Sequence, residues 1–576
     1  MKLLDKAKTA VTDIGKYWKN PKPGEYVSNK EFLNFVIGAG ASNTMSYAGG
    51  NLSFTAGCLF VGAIYGLKMM DFVMLGIVTL VLNYLFSPIN MIITDNLGTP
   101  PKKTMRLIHI SSLIFTVVGI ICFFVPQKYF ESFMPGLPQV IGSKFLIQVF
   151  SCYWNIGVLK KFSPKFGKYR TWIVANMLPY ILSLLLLTWF PYNNLEYHEK
   201  FWVMHLFFSF WSCFASCCNQ VGNLQNVISP NTNERTKIMS IGSFLYSLFP
   251  SIFNIVFPIL ATWAGGMTDI KSYKFVVPVF VVVMAPLSFF LVYGIKDRVV
   301  QEVEHKPQVD MKKGFIEVLK NKYLWITNIP MWFGNFNTGA VNIVNMLIIY
   351  SMRQDWVIGI MSAILGTAWT PGMLLAPMLI KKFGKKRIML CTKYISLGCT
   401  FLSVAGVFMN SLVIIVVSTY ISTMLSSVAA IASSAITADI WDYQQYKSGE
   451  RLDGCMGIFG YISSPIATFS AMLIPFLYGK VGFTSDWNIL YDPELRNKIF
   501  LITIIVGAVA GLLSTIPFHF YDFTEQQHEE MMEELRARAA LLDGSGSGDG
   551  DSTPDENEHS EEEETAPAQE TAVPTL

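Results

Sequence analysis

The dominant pattern along this chain is a succession of about fourteen apolar stretches, most of them near the roughly 20 residues that match the hydrocarbon thickness of a bilayer. They fall near 33–66, 70–94, 104–126, 142–160, 172–192, 201–226, 239–263, 273–295, 324–350, 357–380, 388–409, 411–437, 454–478 and 498–520, and their length and periodicity predict helices. The polar residues inside them are almost all amides and hydroxyls, which in a membrane face a pathway or another helix rather than lipid. Asn43, Tyr47 and Asn51 stand at i, i+4, i+8. Asn83, Ser87 and Asn90 stand at i, i+4, i+7, as do Asn219, Asn223 and Asn226; Asn328, Asn335 and Asn342 follow a heptad, with Asn345 one turn on. Each spacing puts its polar groups on one helix face. An amide both donates and accepts, the chemistry that replaces water around the hydroxyls of an uncharged solute. Hydrogen bonding between helices, worth under about 1 kcal/mol per contact, is the competing reading for any one of them. Four such faces favour a lined cavity, with Asn43, Tyr47, Asn51, Asn83, Ser87, Asn219, Asn223, Asn335 and Asn342 as candidate substrate ligands.

Charge fixes the topology. Basic residues collect in every second loop: Lys102 to Arg106, Lys160 to Arg170, Arg235 with Lys237, Lys296 to Lys322, Lys381 to Arg387, and Lys447 to Arg451. By the positive-inside rule these loops and both termini are cytoplasmic, in a multi-pass protein expected in a cell membrane, plasma or bacterial inner. The first thirty residues are Lys-rich and lack the apolar core of a cleavable signal. With 52% hydrophobic and 15% charged residues and a mean hydropathy of +0.40, the composition is that of a membrane protein. The net charge of +3 is spread over those short loops, so no nucleic-acid partner is expected. The nine cysteines form no CxxC pair and read as small apolar packing residues, so no metal site is expected.

The chain divides into a cytoplasmic segment 1–30, a transmembrane bundle 31–295, a polar linker 296–322, a second bundle 323–520, a cytoplasmic amphipathic segment 521–542, and an acidic tail 543–576. The tail holds Glu561 to Glu564 and no Lys or Arg, and is expected to be disordered. Lys165-Phe166-Gly167-Lys168-Tyr169-Arg170 resembles Lys382-Phe383-Gly384-Lys385-Lys386-Arg387, and in each half another charged loop follows two spans later. Such a parallel repeat, with an axis normal to the membrane, is how the major facilitator superfamily is built, around a central site between its halves.

The run Asp439-Ile440-Trp441-Asp442-Tyr443-Gln444-Gln445-Tyr446-Lys447-Ser448-Gly449-Glu450-Arg451 resembles the signature of the glycoside-pentoside-hexuronide:cation symporter family, which includes the melibiose permease. Similar matches are Asn233-Glu234-Arg235-Thr236, Phe166 to Arg170, Tyr521 to Glu525, and, more weakly, Gly38 to Asn43. The resemblance implies an all-α major facilitator fold of two pseudo-symmetric bundles with a twelve-helix core. It also implies alternating access to a carbohydrate or similar small polar solute, coupled to sodium or a proton, in a monomer. It makes Lys168, Arg170, Glu234, Arg235, Asp439, Asp442, Lys447 and Arg451 a gating set, whose charges exchange partners across the halves.

Departures are equally informative. The best superposition sets Asn83 and Ser87 where sodium-coupled members carry two aspartates in the second span, and it sets Cys218, Ser243 and Pro465 near the family's sugar-binding aspartate, fifth-span arginine and eleventh-span lysine. Neutral oxygens hold a cation with less charge compensation and carry no proton. The first bundle has two spans more than the core needs; an insertion between about 101 and 160 is preferred, with 33–95 as the alternative. Lys393 stands within snorkelling reach of the cytoplasmic surface, Arg106 and His109 read as interfacial, and a lone His205 reads as structural or as a proton relay. Trp154, Trp211, Trp332 and Trp369 are candidates for stacking on a sugar ring. No cluster of nucleophile, base or carboxylate sits at membrane depth, which argues against an enzyme. An uncoupled facilitator, an amphiphile carrier and a non-transporting sensor of the same fold are the alternatives to a symporter.

Overall fold

Backbone N–H and C=O groups in lipid can bond only to each other, so apolar runs of this kind fold as helices. The computed structural model describes residues 15–534 apart from 56, 96, 131–132, 230–231, 297–310, 338–339, 449–457, 525, 529 and 532, and among these no strand occurs. The acidic tail and the middle of the linker therefore lie outside the described residues. In the first half, α1 (Asn29–Gly50) is followed by α2 (Met69–Asp95), α3 (Lys102–Phe124), the kinked α4 (Leu137–Trp189), α5 (Tyr197–Phe214), the short α6 (Val221–Val227), α7 (Thr232–Trp263), α8 (Val277–Ser288) and α9 (Phe290–Tyr293). The linker holds α10 (Met311–Lys320). The second half runs through α11 (Lys322–Gly334), α12 (Ile343–Leu347), α13 (Trp356–Thr367), α14 (Trp369–Phe383), α15 (Lys385–Phe408), α16 (Leu412–Ser448), α17 (Ile458–Ala471), α18 (Leu473–Lys480) and α19 (Pro493–His519).

Among the described residues, 11 helices are long and apolar enough to cross a membrane. The three expected spans that fall short are 33–66, 142–160 and 324–350. The first and last are broken. Helix α1 stops at Gly50, the chain turns, and a π-helical segment, Phe60–Ile64, completes the crossing; α11 stops at Gly334 and resumes at α12 before a π-helical turn, Ile348–Met352. Both helices end at glycine followed by asparagine, residues with poor helix propensity that suit a terminus. The middle segment, 142–160, carries Lys144, Gln148 and Asn155. On α3, Leu107, Ile110, Leu113, Ile114, Val117 and Ile121 recur at helical spacing with about half or more of their surface exposed, a face fit for lipid.

The two repeated loops fold alike. Gly167 (φ 75°, ψ 176°) and Gly384 (φ 79°, ψ 155°) take the left-handed conformation that glycine adopts without strain. Each turn aims a base at the C-terminal end of its bundle's last helix. Arg170 donates to the carbonyls of Val292 (3.1 Å) and Ile295 (2.9 Å), and Lys386 donates to that of His519 (3.0 Å), where a cation meets unsatisfied carbonyls and the negative end of the helix dipole. Each bundle is also closed from first helix to last: the N–H of Lys296 donates to Glu31 (2.8 Å), and Lys322 (2.7 Å) and Tyr323 (2.8 Å) donate to Asp522.

These landmarks differ in spacing between the halves. Asn51 to Gly167 spans 116 residues and Asn335 to Gly384 spans 49, a surplus of 67. The part of α4 before Gly167 packs on α5 through Phe150 against Phe210 and Trp154 against Phe214, as α14 packs on α16 with Gly372 against Met424. That part of α4 stands, like α13–α14, directly before its repeated loop, and α2 and α3 precede it. Asn83 and Ser87 lie on α2; the segment 137–166 carries no Asp or Glu.

Contacts join both bundles into one compact unit ending at Asp522, with Phe523–Leu576 as a second. In the latter, the described residues between 526 and 534 are helical. The bundles meet closely at the end away from the basic loops. There the N–H of Met267 donates to Asp355, a Cβ on Gly359 would stand 2.6 Å from the Ile255 carbonyl, and a Cβ on Gly62 would stand 2.5 Å from the Trp487 ring. Only glycine permits this approach.

Candidate functional site

Where α1 breaks, α2 faces α17 and α18 of the other half, and a cavity of about 480 Å³ opens between them. Asn83 lines it from one half and Asn335 from the other. Thr55, Thr79, Ser464 and Thr468 add hydroxyls, and Phe54, Phe72 and Phe208 add aromatic faces. Apolar walls with a few convergent polar groups are what a small-molecule site requires. The Asn335 amide donates to the Met331 carbonyl (3.0 Å), which leaves its oxygen to accept from a solute hydroxyl.

The other expected ligands are distributed elsewhere. Asn43 is half-buried in α1, Tyr47 is 52% exposed, and Asn51 caps α1 while donating back to Tyr47 (3.1 Å). Ser87 is half-buried one turn beyond Asn83. Asn219 is exposed in the turn before α6. Asn223 contacts Gln220 (3.3 Å) and lines a separate cavity of about 270 Å³ with Asn155 and Tyr169. Asn342 caps α12 through the Asn345 N–H (3.1 Å). The single helical face expected for Asn328, Asn335, Asn342 and Asn345 does not form, because the helix ends between them.

Helix-to-helix bonding accounts for several amides. Asn90 and Gln148 exchange hydrogen bonds (3.3 and 2.9 Å), and Asn176 joins the Trp154 indole (2.8 Å) to Ser216 (2.7 Å). Trp332 donates to Ser463 (2.6 Å), Trp211 is buried against Tyr180, and Trp369 is exposed; the cavity takes its rings from phenylalanines instead. His109 contacts the Tyr153 hydroxyl (2.9 Å) in the first turns of α3.

Two basic residues share the cavity. His205, 3% exposed, contacts Ser209 through Nε2 (3.3 Å), while its Nδ1 has no hydrogen-bond partner. Lys144 is the residue that sequence reasoning passed over: it follows the α4 start by two turns and was hidden at the edge of an expected span. A lysine interrupting an otherwise uncharged crossing was the signal available. Lys393 lines a different cavity, of about 320 Å³ within the second half, where its ammonium approaches Ser514 (3.5 Å) rather than reaching for the surface.

The gating charges form contacts inside their own halves. Asp439 pairs with Lys385, both largely buried. Buried Glu234 accepts from the backbone of Tyr26 (3.0 Å) and Val27 (2.8 Å) and from the Ser229 hydroxyl (2.5 Å), and Arg170 holds α9 as described. Asp442 is half-buried and Lys447 exposed; Arg451 and the side chains of Lys168 and Arg235 lie outside the described residues. Lys322 and Asp522, both well exposed, hold each other charged: Asp522 is pushed below the usual carboxylate range by hydrogen bonds from Lys322 and Tyr323, and Lys322 is raised.

A family model described as MFS/sugar transport protein matches residues 156–525. The chain is similar to the uncharacterized symporter YjmB of Bacillus subtilis, at 24% identity over 72% of this chain and 90% of that protein. It is also similar to the isoprimeverose transporter of Lactiplantibacillus pentosus, at 21% identity over 70% of this chain and 84% of the relative. Among solved structures, a D-xylose-proton symporter aligns over 86% of this chain and 98% of its own at 14% identity, with a TM-score of 0.43.

Proposed function

Because the chain belongs to the MFS/sugar transport family, we propose that it carries a sugar, glycoside or similar small polar solute through the cavity between its halves by alternating access. The observation that carries this reading is that Asn83 and Asn335 line one cavity from opposite halves. A ligand held by both halves binds one arrangement of them better than another, as a carrier requires. The aromatic walls suit the C–H faces of a sugar ring, and the amides and hydroxyls suit its hydroxyls. The membrane is the cell membrane, with both termini cytoplasmic and the protein acting as a monomer.

No carboxylate among the described residues lines the cavity, so a sodium ion has only neutral oxygens there. This favours uncoupled equilibration over sodium symport. Uptake of labelled sugars into proteoliposomes under a sodium gradient, a proton gradient or none separates the two. Equilibration without concentration supports the facilitator, and concentrative uptake under one gradient refutes it. Asn83→Ala and Asn335→Ala, normally inserted, are expected to lose uptake; full activity in both refutes the site.

A further inference from the structure

We propose that the cavity around Lys393 is a second binding site, for a phosphate-type anion with a proton or hydroxyl of its own, and that this ligand resides in the second half rather than being carried. Every described residue lining the cavity belongs to that half: α11 gives Thr327 and Met331, α15 gives Lys393, α16 gives Ser426 and Ser433, and α19 gives Phe518. A ligand held by one half alone gains nothing when the two halves rearrange, so it binds every state of a carrier cycle equally. The site is therefore independent of the solute carried between the halves.

Lys393 lies eight residues into α15, about 12 Å along the helix from its start at Lys385. An ammonium at membrane depth is costly unless an anion or a set of acceptors meets it. Among the described residues its hydrogen-bonding contact is the Ser514 hydroxyl at 3.5 Å, beyond the usual limit of about 3.2 Å. No described Asp or Glu lines the cavity or pairs with Lys393. Met331, Ser426 and Ala430 in the wall are exposed, which gives a ligand a way in. The cavity lies towards the end of the basic loops, since Phe518 precedes His519, whose carbonyl accepts from Lys386. Basic pockets between helices at that end of a membrane protein take phosphate head groups.

The donors and acceptors narrow the ligand. A lysine ammonium is a point charge that suits a tetrahedral oxyanion. Ser433 adds a hydroxyl without a partner among the described residues. Ser426 gives its own proton to the Ser422 carbonyl (2.8 Å), which leaves its oxygen to accept. A hydrogen phosphate, or a phosphodiester carrying a glycerol hydroxyl, accepts from Lys393 and Ser433 and donates to Ser426. Free phosphate and the head group of an anionic phospholipid share this chemistry.

The test titrates the purified full-length protein, delipidated in detergent at mildly acidic pH, with four probes in two pairs. Sodium phosphate is set against sodium sulfate at matched ionic strength, and dioctanoyl phosphatidylglycerol against dioctanoyl phosphatidylcholine. Equilibrium binding and the rise in unfolding temperature are both read. Phosphate should bind at least about tenfold more tightly than sulfate, or phosphatidylglycerol than phosphatidylcholine. Lys393→Met should weaken the preferred probe about 10- to 100-fold, the worth of one charged hydrogen bond, and Ser433→Ala about threefold or more. Lys393→Arg keeps the charge and should keep the preference. Lys144→Met, in the cavity between the halves, should change binding by about twofold or less. Should Lys393→Met fail to fold, Ser433→Ala and the two wild-type preferences decide.

Lys393-dependent binding of phosphate assigns the soluble source, and Lys393-dependent binding of phosphatidylglycerol without phosphate assigns the lipid source; either upholds the site. No preference within either pair, or a loss in Lys144→Met as large as in Lys393→Met, overturns it. Lys393-dependent uptake of labelled phosphate into proteoliposomes overturns a resident ligand. Uptake of labelled sugars is read separately, and its failure removes the transport reading while leaving this site to its own result.

Discussion

Gly359 sits on α13 where the halves meet, and replacing it with alanine tests how the closed end is held. The added Cβ would stand 2.6 Å from the Ile255 carbonyl oxygen, a backbone atom of α7 that cannot rotate away. Ordinary contact begins at 3.4 Å, so the helices must part by roughly 0.8 Å or strain in place. Overpacking of this kind costs about 1–3 kcal/mol, and it is paid only while the two helices are together. Since about 1.4 kcal/mol is a factor of ten, the population open at this end should rise about 5- to 150-fold. Gly366→Ala on the same helix is the control: a Cβ there meets nothing within 4 Å, and the gain in helix propensity of about 1 kcal/mol is common to both variants. Spin labels at Lys271 and Gln354, exposed on opposite sides of the contact, report the separation by pulsed electron resonance. Gly359→Ala should add a longer-distance population absent in Gly366→Ala. An unchanged distribution in Gly359→Ala refutes the argument that this glycine sets the closed end.

The Lys385–Asp439 pair is largely buried, so Asp439→Asn should destabilise the protein by on the order of 2 kcal/mol, read as a lower unfolding temperature in detergent, with partial recovery in the charge-swapped double variant. Glu234→Gln removes the charged acceptor of the Tyr26 and Val27 N–H groups and should expose the segment before α1 to chymotrypsin at Tyr26, with cleavage at least several-fold faster than in wild type. Asp522 has its pKa lowered in the folded state, so its contribution is fully present above the unfolded carboxylate range, near about 4, and is lost as pH falls through the folded value; Asp522→Asn should flatten that acid limb of stability, by a small amount because the pair is exposed. Arg170→Ala should loosen the end of α8–α9, seen as faster amide exchange at Val292 to Ile295, while Arg170→Lys restores part of the protection.

The sequence by itself determined that this is a helical membrane protein of two related halves. Apolar length forces helices where lipid offers no hydrogen-bond partner, charge placement sets alternate loops apart, and the Phe-Gly-Lys turns need glycine at a left-handed position. The family was legible in Asp439 to Arg451, because charged residues at helix ends repeat in fixed local order. What the tertiary structure decided depends on which helices touch. Periodicity put Asn83 and Asn335 on polar faces but could not tell a cavity wall from the glue that Asn90 and Asn176 supply, since an amide suits both. It read Asn328 to Asn345 as one face because nothing local announces a helix that stops at Asn335 and restarts at Asn342. It passed over Lys144, which joins His205, distant in the chain, in one cavity only once the helices pack.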